Sequence, residues 1–469
     1  MSLSGALSVA STGLRANQTL ADISARNIAN AGRDGYVRRD VAVQDRGGGV
    51  EVAAISRDVD ATLARLGHQE QARLARASTI AETMEVYTAT LGAPDDGVSI
   101  AEKLTALESG LVRLAGNPGD QATQAGVLDA AQAAARSLRD MDDRLGAVAR
   151  EVDLGIRYDV ADLNAGLERV ADLNARIMRT QKGTGEMMSL EQTRDDTISE
   201  IAGYLDITAT IEADGTASLR TGRSVDLVDG ALVAPIRFDA ATGTLSAGDA
   251  DITPGRDAVR GAEAGSIAGL IEMRDRVLPD WRAQNDALAR GLVETFEGAD
   301  ASLAAGQAGL FTDAGNALSP GAQDGLAGRI AVNAAIDPAS GGALHRLRDG
   351  IGAAAPGLAG DATQARAFAE AFGATRGFDP QAGLPASATL SDYATTLVAG
   401  QNTARAAAQS ETDALRISAD TIAESQRNRT GVNTDDEMQK LMAIEQSYAA
   451  NAKVMSTVSG MIDTLLSAF

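Results

Sequence analysis

The chain has 469 residues, too many for one ordinary core, so two to four domains are expected. It carries 64 acidic and 42 basic residues, a formal charge of −22, which argues against non-specific binding to nucleic acid or to an anionic membrane and suits a soluble protein that must not self-associate too early. Cysteine is absent, histidine occurs only at His68 and His345, and aromatics make up 3%, so the composition removes disulfides, thiolate metal sites and cysteine nucleophiles, and disfavours multi-histidine metal centres and base-stacking strips.

The first thirty residues predict a helix. Leu3, Leu7, Ala10, Leu14, Asn17, Ala21, Ser24 and Ile28 recur in steps of three and four, a heptad seam of small or polar residues with four large knobs. No basic region precedes it and Ser and Gly interrupt each apolar run, so export without a Sec-type signal is expected. No stretch has the roughly 20 mainly apolar residues of a membrane span. After NIANAGRDGY the pattern turns to short extended pieces, and Gly47-Gly48-Gly49 lacks the lysine and following helix of a phosphate-binding loop, so it reads as a turn between strands.

Residues 58–91 predict a helix containing His68 as a packing or exposed residue. From Leu128 to Ile177 the apolar positions predict one helix of about 50 residues, with a stutter at Val152, Ile156 and Val160. Residues 205–261 predict a small antiparallel β insert, with hairpin signals at Asp214-Gly215, Thr221-Gly222 and Asp229-Gly230. GDADIT, at 248–253, lacks the closing glutamate of a calcium loop and reads as a solvated turn. Helical patterning returns over 265–296. Residues 301–387 hold five of the ten prolines and predict loops with short elements. Residues 391–427 predict another long helix.

The last segment carries a strong seam: Leu441, Ile444, Tyr448, Asn451, Met455, Val458, Ile462, Leu465 and Phe469. Asp435-Asp436-Glu437 precede it, where carboxylates favour a helix start. Spacing leaves two arrangements open: the first and last helices pair with each other, or each packs on its own domain. The small face of one and the large face of the other favour the pair. Asp95-Asp96 is the remaining acidic pair, and no pattern of carboxylates, glycines or histidines makes an active site. The residues thus describe a mainly α protein with inserted β, with no catalytic, cofactor-binding or metal-binding residue to name.

LSVASTGLRANQTLADISARNIANAGRDGYVRR, at 7–39, resembles the amino-terminal signature of bacterial flagellar axial proteins, those of rod, hook and hook–filament junction. GVNTDDEMQKLMAIEQSYAANAKVMSTVSGMIDTLL, at 431–466, resembles their carboxy-terminal signature. The segments at 49–72, 189–211 and 265–296 are similar to the hook-associated junction members. The resemblance covers most of 1–300 and 390–469, and does not reach 301–390.

The resemblance implies nested discontinuous domains: a terminal coiled coil with its extended segment over 1–57 and 430–469, a helical rod domain over 58–204 and 262–429, and an outer β insert over 205–261. It implies a structural, non-enzymatic adaptor joining hook to filament, assembling as a ring of its own copies. Expected partners are hook subunits, a second junction protein and a cytosolic export chaperone at the last helix, with no nucleic acid, membrane or cofactor. The expected location is the extracellular flagellum, after type III export. The assembly interface is expected at Leu3, Leu7, Leu14, Ile28, Leu441, Ile444, Tyr448, Met455, Val458, Ile462, Leu465 and Phe469. Alternatives are a hook or distal-rod subunit, or a rod-associated peptidoglycan hydrolase with its site in 301–390.

Overall fold

A computed structural model describes residues 2–33, 35–46, 49–92, 97–222, 224–256, 262–319, 321, 323–380 and 383–467. The expectations placed on Gly47, Gly48, Asp95, Asp96, Gly261 and Phe469 lie outside the described residues.

In chain order, helix α1 spans Leu3–Asn30, and the Ser2 hydroxyl accepts from the Gly5 amide at its start. Strands β1 (Arg39–Asp45) and β2 (Val50–Arg57) form an antiparallel hairpin with a register shift after Ala42. Then come α2 (Ala61–Thr88), α3 (Ile100–Gly116), capped by Ser99, and α4 (Gln121–Arg179). Helix α4 reaches 59 residues, longer than its apolar stripe alone predicts, and Val152, Ile156 and Val160 of the stutter are all buried. Helix α5 (Gly185–Ile201) follows, capped by Thr184.

Among its described residues the β insert holds seven strands: β3 (Ile207–Ile211), β4 (Ala217–Thr221), β5 (Asp226–Asp229), β6 (Leu232–Val233), β7 (Ile236–Asp239), β8 (Thr244–Ala247) and β9 (Ala250–Asp251). They form a four-stranded sheet, β3-β4-β5-β6, and a three-stranded sheet, β7-β8-β9. All the paired strands are antiparallel. Asp214-Gly215, Thr221-Gly222 and Asp229-Gly230 each fall at a hairpin turn, and Gly248 falls in the β8–β9 turn. The insert enters and leaves at one place, where the Asp206 amide donates to the Ala264 carbonyl at 3.1 Å.

Helices α6 (Ser266–Glu272) and α7 (Leu278–Ala299) are joined by a π turn at Met273–Val277. Pro279 has no amide to donate, and the wider turn accommodates it. Short elements follow: β10 (Phe311–Asp313), α8 (Leu326–Arg329), β11 (Ile330–Val332), α9 (Arg346–Asp349), α10 (Thr363–Gly373), β12 (Arg376–Gly377) and β13 (Ser387–Ala388). Helices α11 (Leu390–Thr430) and α12 (Thr434–Ser467) complete the order. No helix among the described residues is long and apolar enough to cross a membrane.

Contacts divide the chain into two compact units. The first comprises Met1–Arg76, Arg157–Ala268 and Asp413–Phe469. Its core includes Leu173, Ile177, Met187, Met188 and Leu190, with Ile55 of the hairpin packed against them. Asn174 anchors the β insert to α4: its Nδ2 donates to the Ala217 and Gly230 carbonyls at 2.8 Å each, and its Oδ1 accepts from the Ala217 amide. The second unit comprises Ala77–Ile156 and Gly269–Thr412. There Phe296 of α7 packs against Phe311, Phe368 and Phe372, with the Phe311 and Phe368 rings 5.4 Å away.

Candidate assembly interface

The first helix finds its partner at the far end of the chain. Helices α1 and α12 pack side by side. Asn17 Nδ2 donates to Ser447 Oγ at 3.0 Å, and Asn27 Nδ2 donates to Glu437 Oε2 at 3.3 Å. A Cβ placed on Gly13 would lie 2.9 Å from Asn451 Nδ2, so the glycine makes room for that amide. Ten residues forward on α1 correspond to ten residues back on α12, so the pair is antiparallel.

On α1 the whole seam is covered: Ala10, Asn17 and Ser24 are buried, and Leu3, Leu7, Leu14, Ala21 and Ile28 are half-buried. On α12, Val458 is buried, and Leu441, Ile444, Asn451, Met455 and Ile462 are half-buried. Tyr448 stays 43% exposed and Leu465 50%. The register explains Leu465: Gly13 lies against Asn451, so α12 runs on past the first turn of α1.

A second stripe of α1, Ala16, Ile23 and Asn27, is buried as well, and Asn27 meets the β1–β2 hairpin at Arg39. This stripe is absent from the seam read in the sequence, although its steps of seven and four are those of a helix face. Asn27 is its polar centre. The amide donates to the Arg39 carbonyl at 2.9 Å as well as to Glu437, and its oxygen accepts from the Tyr36 hydroxyl at 3.0 Å and the Arg39 amide at 3.1 Å. Every hydrogen-bonding capacity of the side chain is used. Burial pushes the Tyr36 hydroxyl above its ordinary pKa, which keeps it a donor, while the Arg39 guanidinium above its ring opposes that shift.

Glu437 is buried in the first turn of α12. Burial would raise its carboxyl, but hydrogen bonds from Lys440, Ser24 and Asn27 outweigh that and hold it below the ordinary glutamate range. Lys440 Nζ donates to Glu437 Oε1 at 2.7 Å and lies 3.7 Å from Asp40 of β1. The Arg38 amide donates to the Thr430 carbonyl at 2.9 Å, so the hairpin also holds the end of α11. Two helices, a hairpin and one amide thus make a single packed joint. It offers packing faces. Among the described residues no group of three or more His, Asp or Glu is placed to hold a metal ion.

Residues 89–309 match the helical domain of flagellar hook-associated protein FlgK, and residues 428–468 match the C-terminal domain of the flagellar basal body rod proteins FlgE, FlgF and FlgG. The chain is similar to flagellar hook-associated protein 1. It is 24% identical over 316 residues to that protein of Salmonella typhimurium, and 22% identical over 311 residues to that of Escherichia coli. Each alignment covers 63% of this chain and 56% of the relative, so the match spans about half the length of these relatives. The flagellar hook junction protein FlgK of Burkholderia pseudomallei aligns at a TM-score of 0.43 with 19% identity, over 53% of this chain and 46% of that one.

Proposed function

We propose that this chain is a structural adaptor subunit that joins hook to filament, assembling as a ring of its own copies. The observation that carries this reading is the dress of α12. At 3.6 residues per turn, Tyr448 and Leu466 lie on one flank of its α1-facing stripe, and Val454, Met461 and Leu465 on the other. All five are exposed, Leu466 at 73%. A helix apolar on both flanks is half a packed layer, and neighbouring copies supply the rest.

The match of 89–309 to the hook-associated helical domain favours a junction subunit over a hook or rod subunit. Hook subunits and a second junction protein are the proposed neighbours, and an export chaperone the proposed cover of α12 before assembly. The proposed role is mechanical and non-catalytic, in the extracellular flagellum after export from the cytoplasm. The proposed architecture has three parts: the α1–α12 joint, the long-helix body and the β insert.

Electron microscopy of a deletion strain tests the role. Hooks without filaments, with filament protein released into the medium, are expected; missing hooks would sink the junction reading. Complementation with Leu465→Asp tests the face. An unpaired charge there costs several kcal/mol once neighbours cover it, so normal expression without filaments is expected. Wild-type motility of this variant would remove Leu465 from the interface.

A further inference from the structure

Away from the α1–α12 joint, two buried arginines share one carboxylate. Arg57, at the end of β2, has a side chain only 4% exposed, and Arg194 of α5 only 3%. Arg57 Nη1 donates to Asp195 Oδ2 at 2.7 Å, while Arg194 donates to Asp195 Oδ1 through Nε at 3.0 Å and Nη2 at 2.7 Å. Arg194 spends its remaining Nη1 on the Gly215 carbonyl, at the turn between β3 and β4. Arg57 spends its Nη2 on Gln192 Oε1 at 3.0 Å. Gln192 in turn donates to the Gly35 carbonyl at 2.9 Å and to Asp196, whose other oxygen receives Arg33 at 2.6 Å. One face of α5 therefore holds the segment after α1, the end of the hairpin and the first turn of the β insert.

Other hydrogen bonds to the turn come from outside α5: Lys182 Nζ donates to the Ala213 carbonyl at 3.2 Å, and Asn174 of α4 holds Ala217. Gly215 adopts φ of +95°, a backbone that a side chain would strain, and a Cβ there would lie 3.0 Å from Met187 Cε. The hairpin is also tied here through its backbone, from the Ile55 amide to the Gly183 carbonyl at 3.1 Å.

We infer that Asp195 is a relay: docking of the β1–β2 hairpin on α5 and ordering of the β3–β4 turn are coupled through the carboxylate that Arg57 and Arg194 share. The physical reason is charge balance. With Arg57 in place, Asp195 is neutralised from two sides and Arg194 is held flat, its third nitrogen aimed at Gly215. Without Arg57, the carboxylate is free to turn wholly onto Arg194 or out to water, and the guanidinium moves with it. A buried charge tolerates few geometries, so this is a discrete change. The consequence is that the state of the joint is felt in the β insert, whatever the assembly that the joint enters.

Amide hydrogen exchange on the purified full chain tests the relay. In Arg57→Met, which keeps the apolar stem and removes the charge, amides 213–217 are expected to exchange about tenfold faster, a factor typical of coupled sites. Amides 163–173 of α4 are expected to keep their wild-type rates. Coupling is reciprocal, so Arg194→Met must accelerate hairpin amides 52–57 by a similar factor. Acceleration of the hairpin alone in the first variant, or of the turn alone in the second, overturns the relay. If Arg57→Met loosens α4 as well, Asp195→Asn is read in its place. Hairpin and turn accelerating together then supports the relay, and either one alone overturns it.

Discussion

Asn27 and Glu437 show how one polar pair fixes a seam. Apolar stripes set which faces meet, but a helix pair can slide by a turn at small cost. The Asn27 amide cannot slide. A slide of α1 along α12 would part it from Glu437, and each buried group left unpaired costs about 1–3 kcal/mol. The charge on Glu437 gives this lock a pH signature. Its pKa is depressed in the fold, so its contribution is present above the ordinary glutamate value of about 4.3 and is lost as pH falls through the folded value. Asp206, beside the neck of the β insert, carries the opposite sign. Burial, with Glu263 adding to it, pushes its carboxyl up to about 7. Stability from its protonated form is present below about pH 4 and lost as pH rises through 7. Asp206→Asn is therefore expected to gain roughly 1–2 kcal/mol at pH 8 and nothing at pH 4, whereas Glu437→Gln weakens the assembled joint at pH 7 and matches the wild type only once pH has fallen below the folded value of Glu437. Denaturant melts across pH check the first and dissociation of the assembled protein across pH the second, and a gain for Asp206→Asn that does not change with pH would rule out its carboxyl as the cause.

At the scale of elements, helix periods were the most legible part of the chain. The seams of α1 and α12, the run of α4 and the three hairpin turns were all written locally. The register of α1 on α12 was not, because it rests on Asn17–Ser447 and Asn27–Glu437, pairs some four hundred residues apart. Helix α3 passed unread although Ile100, Leu104, Leu107, Leu111 and Leu114 have the same spacing and are all buried. Over 301–390 the sequence showed loops and short elements, but the clustering of Phe311, Phe368 and Phe372 on Phe296 depends on tertiary contact alone. The β insert invites a direct test. Its ends are hydrogen-bonded neighbours at Asp206 and Ala264, so residues 207–259 can be replaced by a short Gly/Ser linker without stretching the chain. Helical circular dichroism per residue is expected to stay at least as high as before. Some stability is lost, since Asn164 and Asn174 of α4 lose the carbonyls of Ile236, Ala217 and Gly230. Collapse of the remaining helix signal would show that the insert is part of the folding core.

For the molecule as a whole, the question is what the α1–α12 joint does before it has neighbours. The α1 seam has only Leu3, Leu7, Leu14 and Ile28 as large residues, and all four are half-buried. Full burial of such a side chain gives about 1.5–3 kcal/mol, and half-burial gives less. Ordering each residue of both helices costs about 1–2 kcal/mol of backbone entropy, offset mainly by packing that α12 lacks on its flanks. The pair alone is therefore near balance, and the apolar flanks of α12 are the surface whose burial by other copies would tip it. The hairpin differs: buried Arg57 and the Ile55–Gly183 bond tie it to α5 within the same unit. We predict that in a verified monomer α1 and α12 are frayed and fold on assembly. Brief proteolysis should trim both helices and leave a stable core that begins after Arg33 and keeps β1 and β2. Exchange should be fast across α1 and α12 and slow in β2. Resistance of both helices in a monomer confirmed by light scattering would mean that the joint is already formed before assembly, and that the ring gains nothing from folding it.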